Sequence, residues 1–352
     1  MKEIPVVFSS NEAFIPYTSA MLQSIMEHSN VEKEYMIFLL HGKLNDSTKQ
    51  KLQQQISKYQ NIKISFINVS EYFDKFNFYN IPWLSRETYF RLIIPWIFSQ
   101  YEKVIYLDCD MIANVDIAEI LDIDMGDNCL MASREACTLT KKRYNYYNYY
   151  NNCFGLKKPE NYFNAGFLVF NIKKFQELIS MQDLLEFAAS RKWGSQDQDV
   201  LNVLCEEKTL LLDSSWNFLA GHYSQERLDS LFEPYRSDFI NAKENPKIIH
   251  FTNGEFYKGK PDKTFFYILY AEYFWKYATR TPFLSDIIIG MQKKCLINIS
   301  IFKMYFYILD KCGLNMKKYF KSIFPYFVKK IFWKFRKKFT KRPNSTITKP
   351  FT

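Results

Sequence analysis

Residues 103–110 read KVIYLDCD, and this stretch decides both the fold class and the place of the site. A short apolar run ends in two acids one residue apart, which is typical of a buried strand followed by a polar turn. Side chains two apart in extended backbone point the same way, so Asp108 and Asp110 converge beyond the strand end. Two close carboxylates repel each other unless a cation or protons neutralise them. The stretch therefore predicts a cation site at a strand end, although two solvated turn acids would explain an isolated Asp-x-Asp equally well.

Segments with strand and helix patterns alternate around this stretch. The predicted strands cover residues 4–9, 34–40, 62–69, 103–107, 163–170 and 247–251. The predicted helices cover residues 14–28, 46–58 and 86–98, with Asp46 or Ser47 capping the second. This alternation predicts a mostly parallel sheet covered on both faces, where ligands bind beyond the carboxyl ends of the strands. Residues 141–152 are rich in Tyr and Asn and predict a loop, whose rings either line a site or pack on the surface.

Composition narrows the class of protein. The chain has 352 residues and seven scattered Cys without a CxxC pair, which favours reduced thiols in a cytosol over a secreted disulfide framework. The first residues lack the apolar core of a signal peptide, and no run of 18 uncharged apolar residues predicts a spanning helix. A cytoplasmic protein is expected.

The charge is strongly segregated along the chain. Residues 291–352 hold 16 Lys or Arg and one acid, Asp310, whereas the rest of the chain holds 31 basic and 36 acidic residues. Aromatic and aliphatic residues recur every three or four positions in this tail, at Phe320, Phe324, Phe327, Ile331, Phe335 and Phe339. We therefore expect a catalytic domain over residues 1–280 and a helical, basic and aromatic tail over 281–352 that binds an anionic membrane surface. A helix packed on the catalytic domain is the alternative, and nucleic-acid binding is a weaker one.

Five ordered blocks resemble glycosyltransferase family 8, a retaining family that includes bacterial lipopolysaccharide galactosyl- and glucosyltransferases. The blocks are YFRL at 89–92, KVIYLDCD at 103–110, YFNAGF at 162–167, QDQDVL at 196–201 and IHFT at 249–252. The resemblance spans residues 4 to about 262. It implies an α/β fold of the GT-A nucleotide-sugar-binding type, with a mostly parallel mixed central sheet.

The resemblance also implies the binding residues. Asp108, Asp110 and His250 would hold the metal, which is usually Mn²⁺, with Mg²⁺ as the other possibility. The donor contacts would come from Ser9, Asn11, Phe14, Arg91, Asp108, Asn164, Ala165, Gly254 and Lys260. The sequence departs from the family pattern at Asn11, where an Asp is typical, and at Asp262, where a Trp is typical. The second departure leaves Lys258 as an alternative to Lys260 for the diphosphate.

The block at 196–201 would supply the catalytic residues Asp197, Gln198 and Asp199. Gln198 is a poor nucleophile but a suitable dipole beside a developing positive charge, which favours front-face attack with retention. Double displacement with Asp199 or another carboxylate as nucleophile is the competing mechanism. A purely structural helix start, capped by Ser195, is the alternative for this block.

The resulting hypothesis is a hexosyltransferase that moves glucose or galactose from UDP-glucose or UDP-galactose to a glycolipid or a cell-surface polysaccharide precursor. It would work as a peripheral protein at the inner face of the cell membrane, and no nucleic-acid partner is expected. Two rival hypotheses are a noncatalytic protein that binds membrane or nucleic acid, and a metal-dependent nucleotidyltransferase.

Overall fold

A computed structural model of the chain describes residues 2–81, 85–136, 150–220, 225–252 and 270–295. All of these residues belong to one compact unit, which extends from Met1 to Ile297. Strands and helices alternate along most of it, as the sequence predicts.

The larger of the two described sheets has seven strands: β1 (Glu3–Ser9), β2 (Glu34–His41), β3 (Ile62–Asn68), β4 (Lys103–Leu107), β6 (Leu130–Arg134), β7 (Phe163–Asn171) and β8 (Thr209–Leu212). Their order across the sheet is β3-β2-β1-β4-β7-β6-β8. Only β7 runs antiparallel to its neighbours among them. The prediction of a mostly parallel mixed sheet is confirmed.

Both faces of this sheet are buried. In β4, Ile105 and Leu107 point into one apolar cluster, whereas Val104 and Tyr106 point into the other. A strand buried on both faces needs a continuous apolar run, which is why residues 103–107 lack the alternation of a half-exposed strand.

The strand order creates a crevice between β1 and β4. From β1 the chain adds β2 and then β3 on one side, and it later returns to place β4 on the other side of β1. The two strands are parallel, with Phe8 opposite Leu107. Their carboxyl ends therefore open side by side at the point where the strand order reverses, which is where open α/β sheets bind ligands.

A second described sheet has the order β5-β10-β9. Its strands are β5 (Met111–Ala113), β9 (Phe218–Leu219) and β10 (Ile248–His250). Because β5 begins directly after Asp110, this sheet adjoins the end of β4.

Helices cover the sheets. The α-helices are α1 (Ile15–His28), α2 (Asp46–Ile56), α3 (Ser70–Phe73), α4 (Ile94–Ile97), α5 (Ile172–Gln176), α6 (Met181–Ala189), α7 (Asp197–Leu204), α8 (Gln225–Ser230), α9 (Tyr235–Glu244), α10 (Ala271–Ala278) and α11 (Leu284–Cys295). Short 3₁₀ helices lie at Arg86–Ile93, Ile117–Asp122, Pro159–Asn161 and Ser214–Asn217.

The segment 86–98 is helical as predicted. It consists of a 3₁₀ helix followed by one α-turn, because Pro95 has no N–H to continue an α-helical ladder. Two other local predictions need correction. Neither Asp46 nor Ser47 caps α2: its N-cap is Asn45, and the carboxylate of Glu12 accepts the Asn45 N–H instead. Within the predicted loop, residues 150–152 are helical.

Most of the predicted tail lies outside the described residues, as do residues 141–149 of the tyrosine-rich segment. The part of 281–352 that is described begins inside the compact unit, where Phe283 and Ile287 are buried. The division at residue 280 and the membrane tail stay predictions. Across the described residues, no helix combines the length and the apolar character needed to cross a membrane.

Candidate active site

A cavity of about 350 Å³ lies at the crevice between β1 and β4. It brings together eleven of the predicted site residues: Ser9, Asn11, Phe14, Arg91, Asp108, Asp110, Asn164, Ala165, Asp197, Gln198 and His250. Asp199 does not line it. Gly254 and Lys260, like the alternative Lys258, lie outside the described residues. The lining also includes residues that were not predicted to belong to the site: Ser10, Ser85, Thr88, Tyr106, Cys109, Glu135, Ser195 and Thr252.

The carboxylate–imidazole cluster of Asp108, Asp110 and His250 is assembled by backbone pairing. The antiparallel register of β10 with β5 places His250 opposite Met111, the residue after Asp110. The Phe251 N–H also donates to the Asp110 carbonyl at 2.9 Å. A histidine 140 positions along the chain is thereby fixed beside the acids that follow β4.

The geometry of this cluster fits a divalent cation. One ligand atom from each of the three residues lies within 4.8 Å of the others. His250 Nδ1 lies 2.9 Å from Asn217 Oδ1, an atom that can only accept, so Nδ1 carries a hydrogen, and in the neutral imidazole Nε2 then presents its lone pair. Nε2 lies 3.3 Å from Asp110 Oδ1 and 3.9 Å from Asp108 Oδ2. An imidazole nitrogen with carboxylate oxygens suits Mn²⁺ or Mg²⁺.

One oxygen of Asp108, Oδ1, is held by neighbouring side chains and so orients the carboxylate. Asp108 Oδ1 accepts from the Tyr106 hydroxyl at 2.8 Å and lies 3.0 Å from Arg91 Nη2. Because Oδ1 is held on that side, Oδ2 turns toward His250.

Arg91 joins the two halves of the cavity. Its side chain is 4% exposed. Its Nε lies 2.8 Å from Asp197 Oδ2, and its Nη1 donates to the Ala165 carbonyl. The ring of Tyr106 covers one face, 4.5 Å away. Burial by itself lowers the pKa of Arg91, but Asp108 and Asp197 outweigh that effect and raise the pKa. The structure thus places Arg91 as a bridge between two carboxylates, and its predicted contact with a donor stays a prediction.

The start of α7 is held in a strained conformation. Gln196 precedes the helix with φ 52° and ψ −127°, a region that non-glycine residues rarely occupy. Its buried amide accepts from the Ile81 N–H at 2.9 Å and donates to Thr88 Oγ1 at 3.0 Å. These bonds fix the backbone that carries Asp197 and Gln198 into the cavity.

Asp197 is almost completely buried in the cavity wall, at 2% exposure. Burial raises the pKa of its carboxyl to about 6, although the neighbouring Arg91 acts in the opposite direction. Arg91 thus favours the ionised form of Asp197, which burial alone disfavours.

Gln198, Tyr162 and Asp199 form a hydrogen-bonded chain behind the cavity. Gln198 Oε1 accepts from the Ala165 N–H at 3.0 Å, and its Nε2 donates to the Tyr162 hydroxyl at 3.1 Å. That hydroxyl donates to Asp199 at 2.5 Å, and Asp199 also accepts from the Ser195 N–H at 2.7 Å. Asp199, at 1% exposure, thus lies behind the wall that Gln198 presents. We call Asp197, Gln198, Asp199 and Tyr162 the α7 cluster.

The turn after β1 forms the opposite end of the cavity. The Asn11 amide accepts from the Ala13 N–H at 3.1 Å and donates to Glu87 at 2.9 Å, so it shapes the turn. Ser9 and Thr252 line the cavity, and their buried hydroxyls have no hydrogen-bond partner within the described part of the chain. Buried hydroxyls of this kind are expected to bind a ligand or water.

Gly166 lies directly against the side chains of His250 and Asn164. Ala165 lines the cavity, whereas a Cβ on Gly166 would lie 2.4 Å from His250 Cε1 and 2.9 Å from Asn164 Oδ1. The space beside Gly166 is thus filled by the imidazole and by the Asn164 amide.

Comparison with known proteins gives a consistent match. The family model described as Glycosyl transferase family 8 matches residues 5–261. A protein of Haemophilus influenzae with the name of a glycosyltransferase is 29% identical over 221 residues, which cover 60% of this chain and 62% of that protein. A lipopolysaccharide 1,3-galactosyltransferase of Salmonella typhimurium is 28% identical over 169 residues, covering 44% of this chain and 45% of that protein.

Solved structures agree on the fold. The bifunctional glycosyltransferase WbbM superimposes with a TM-score of 0.73 at 25% identity, covering 82% of this chain and 52% of WbbM. The galactosyltransferase LgtC, solved with donor and acceptor sugar analogues, gives 0.65 at 24% identity, covering 79% of this chain and 96% of LgtC. The predicted GT-A type of fold is confirmed. The chain spans less than two thirds of the length of several of its relatives.

Proposed function

The chain belongs to glycosyltransferase family 8, and on this premise we propose that it transfers a hexose from a UDP-sugar with retention of configuration. The proposal rests on one observation. A single cavity at the β1–β4 crevice contains both the carboxylate–imidazole cluster, which suits a cation, and a polar wall at the start of α7 that hydrogen bonds hold in place. A nucleoside diphosphate sugar presents two matching features, a diphosphate that needs a cation and a sugar that needs directional hydrogen bonds.

Asp108, Asp110 and His250 would hold Mn²⁺, or Mg²⁺ in its place, against the diphosphate. When bound, such a cation neutralises negative charge that develops on the departing nucleotide. The protein's own contribution is orientation: Tyr106 and Arg91 turn Asp108 toward the cluster, and Asn217 keeps the Nε2 lone pair of His250 directed there.

The wall formed by α7 supplies the sugar contacts in this proposal. Asp197, ionised beside Arg91, accepts from donor-sugar hydroxyls, and Asn164 contributes an amide on the same wall. In this proposal the Gln198 amide dipole stabilises positive charge at the reacting carbon. The bonds of that amide to the Ala165 N–H and the Tyr162 hydroxyl, which hold both of its ends, support the assignment.

We favour front-face attack over double displacement. The bond between the anomeric carbon and the phosphate oxygen breaks, the acceptor oxygen bonds to that carbon on the same face, and the acceptor's proton passes to the leaving phosphate. The burial of Asp199 behind Tyr162 supports this choice, since a nucleophile must reach the sugar. We assign Asp199 the task of holding the Ser195 backbone and the Tyr162 hydroxyl.

The turn after β1 is the proposed nucleotide site. Ser9, Asn11 and Phe14 would contact the base and ribose, and the unpartnered Ser9 hydroxyl supports this assignment. Gly254 and Lys260, or Lys258, would contact the diphosphate from residues outside the described part of the chain.

The acceptor in this proposal is a glycolipid or a surface-polysaccharide precursor, and the donor is UDP-glucose or UDP-galactose. The Salmonella relative, whose name specifies lipopolysaccharide and galactose, supports this choice. The basic tail would hold the enzyme at the cytoplasmic face of the membrane, where such precursors are built. No nucleic-acid partner is proposed, and the family match favours sugar transfer over a noncatalytic binder or a nucleotidyltransferase.

A donor screen tests the proposal. The full-length protein is incubated with Mn²⁺, a panel of nucleotide-sugars and lipid-linked glycan acceptors, and both nucleotide release and the glycan product are measured. We expect UDP release with UDP-glucose or UDP-galactose and an α-linked product. Absence of both release and transfer across the panel would overturn the proposal.

A further inference from the structure

His250 is linked by two asparagine side chains to the buried carboxylate of Glu135, which directly follows β6. The Asn164 amide donates to Glu135 Oε2 at 2.8 Å, the Asn217 amide donates to Asn164 Oδ1 at 2.9 Å, and Asn217 Oδ1 lies 2.9 Å from His250 Nδ1. All four side chains are less than 10% exposed. We call this chain of hydrogen bonds the amide relay.

The orientation of each amide in the relay follows from the orientation of Asn164 beside Glu135. The Asn164 NH₂ group donates to Glu135 Oε2, so Asn164 Oδ1 faces away from Glu135. The Gly166 backbone N–H donates to Asn164 Oδ1 at 2.9 Å, which requires the same orientation independently. Asn217 must then turn its NH₂ group toward Asn164 and its oxygen toward His250.

The orientation of Asn217 affects which nitrogen of the His250 imidazole carries the hydrogen. Because Asn217 presents an oxygen to Nδ1, the neutral imidazole keeps its hydrogen on Nδ1 and its lone pair on Nε2. If that acceptor were missing, the hydrogen would be better placed on Nε2, where Asp110 Oδ1 lies 3.3 Å away. A hydrogen on Nε2 would occupy the lone pair that a metal needs.

We propose that Asn217 is a positioning residue that sets the tautomer and ring orientation of His250 for metal binding, with Glu135 and Asn164 fixing the direction of its amide. Asn217 is not part of the cavity lining, so it acts through His250 and not on the substrate. This inference rests on the proposed metal-dependent function.

The test measures Mn²⁺ affinity of the metal-free, full-length protein by electron paramagnetic resonance, without any turnover. We expect Asn217→Ala to weaken Mn²⁺ binding by about 10- to 100-fold. Asn202→Ala is the matched control, because Asn202 is equally buried and bonds the Phe163 backbone instead of His250. The control should lose stability but keep the wild-type Mn²⁺ affinity.

Two further variants separate positioning from simple structural damage. Asn217→Asp retains an acceptor for Nδ1 and should recover most of the affinity that Asn217→Ala loses. In a His250→Ala background, Asn217→Ala should cause no additional loss, because its effect passes through the imidazole. Equal affinity of Asn217→Ala and wild type, or equal losses in the two backgrounds, would overturn the inference while leaving metal use intact. Absence of Mn²⁺ binding by the wild type would overturn both.

Discussion

The carboxylate–imidazole cluster and the α7 cluster face the same cavity but differ in how their polar atoms are arranged. In the first, acceptor atoms of Asp108, Asp110 and His250 are directed at one another. In the second, donors and acceptors alternate from the Ala165 N–H through Gln198 and Tyr162 to Asp199. One half of the site thus presents converging acceptors that suit a cation, whereas the other half is held by the protein's own hydrogen bonds.

The largest effect is expected from Asp110→Asn. This nearly isosteric change removes one of the converging carboxylates, so turnover should fall about 1000-fold or more, since a catalytic cation contributes several kcal/mol. The metal-free variant should unfold at a temperature no lower than the wild type, because a repulsive charge is lost. Donor turnover and the thermal unfolding midpoint are measured together. Activity near that of the wild type would remove the metal role of Asp110.

Gly166→Ala should disturb the carboxylate–imidazole cluster by displacing His250. The new methyl group would overlap His250, so the ring must move away from the acids. We expect weaker Mn²⁺ binding by about tenfold or more, in line with the loss of support around a metal ligand. Gly42→Ala is the control, because a Cβ there meets only Phe90 at 3.8 Å. Equal Mn²⁺ affinity of the two variants would contradict the tight approach of His250.

Tyr162→Phe should affect the α7 cluster alone. It removes the hydroxyl between Gln198 and Asp199, so kcat should fall about 10- to 100-fold, with Mn²⁺ affinity unchanged. A buried acceptor without its donor also costs about 1–3 kcal/mol of stability. Tyr35→Phe, which removes another part-buried hydroxyl bound to Asp116, should cost stability without lowering kcat. A loss of Mn²⁺ affinity in Tyr162→Phe would show that the two clusters are not independent.

The smallest effect concerns the pH dependence of stability at Asp197. Its pKa of about 6 in the folded protein exceeds that of an unfolded Asp, so the folded state binds the proton more tightly. Stability contributed by this group is therefore lost as pH rises from about 4 to 6, and by at most about 3 kcal/mol. Relative to wild type, Asp197→Asn should become progressively more stable over that range and then level off. Urea unfolding across the range measures this difference, and a constant difference would contradict it.

Much of this arrangement follows from short stretches of sequence. The apolar run at 103–107 and the acids after it correctly predict a strand and a convergent pair, because both depend on neighbouring residues only. The same reasoning would have identified Glu135, which directly follows β6, a strand parallel to β4.

Other features depend on pairing between distant parts of the chain. Asn217 precedes His250 by 33 positions and meets it only because β9 and β10 are adjacent. The role of Gly166 is equally invisible, since it depends on where the imidazole lies. Asp199 has the same local pattern as Asp197, and only the fold places one in the cavity wall and the other behind it.

Linkage between Mn²⁺ and UDP tests the central claim most directly, because the claim is that the carboxylate–imidazole cluster holds a cation against the diphosphate. Isothermal titration calorimetry would measure the Kd for UDP with saturating Mn²⁺ and again in EDTA. We expect wild-type protein to bind UDP at least about tenfold tighter with Mn²⁺, a coupling of about 1.4 kcal/mol or more, and Asp110→Asn to show no such difference. The same Kd for wild-type protein in both conditions would contradict the account.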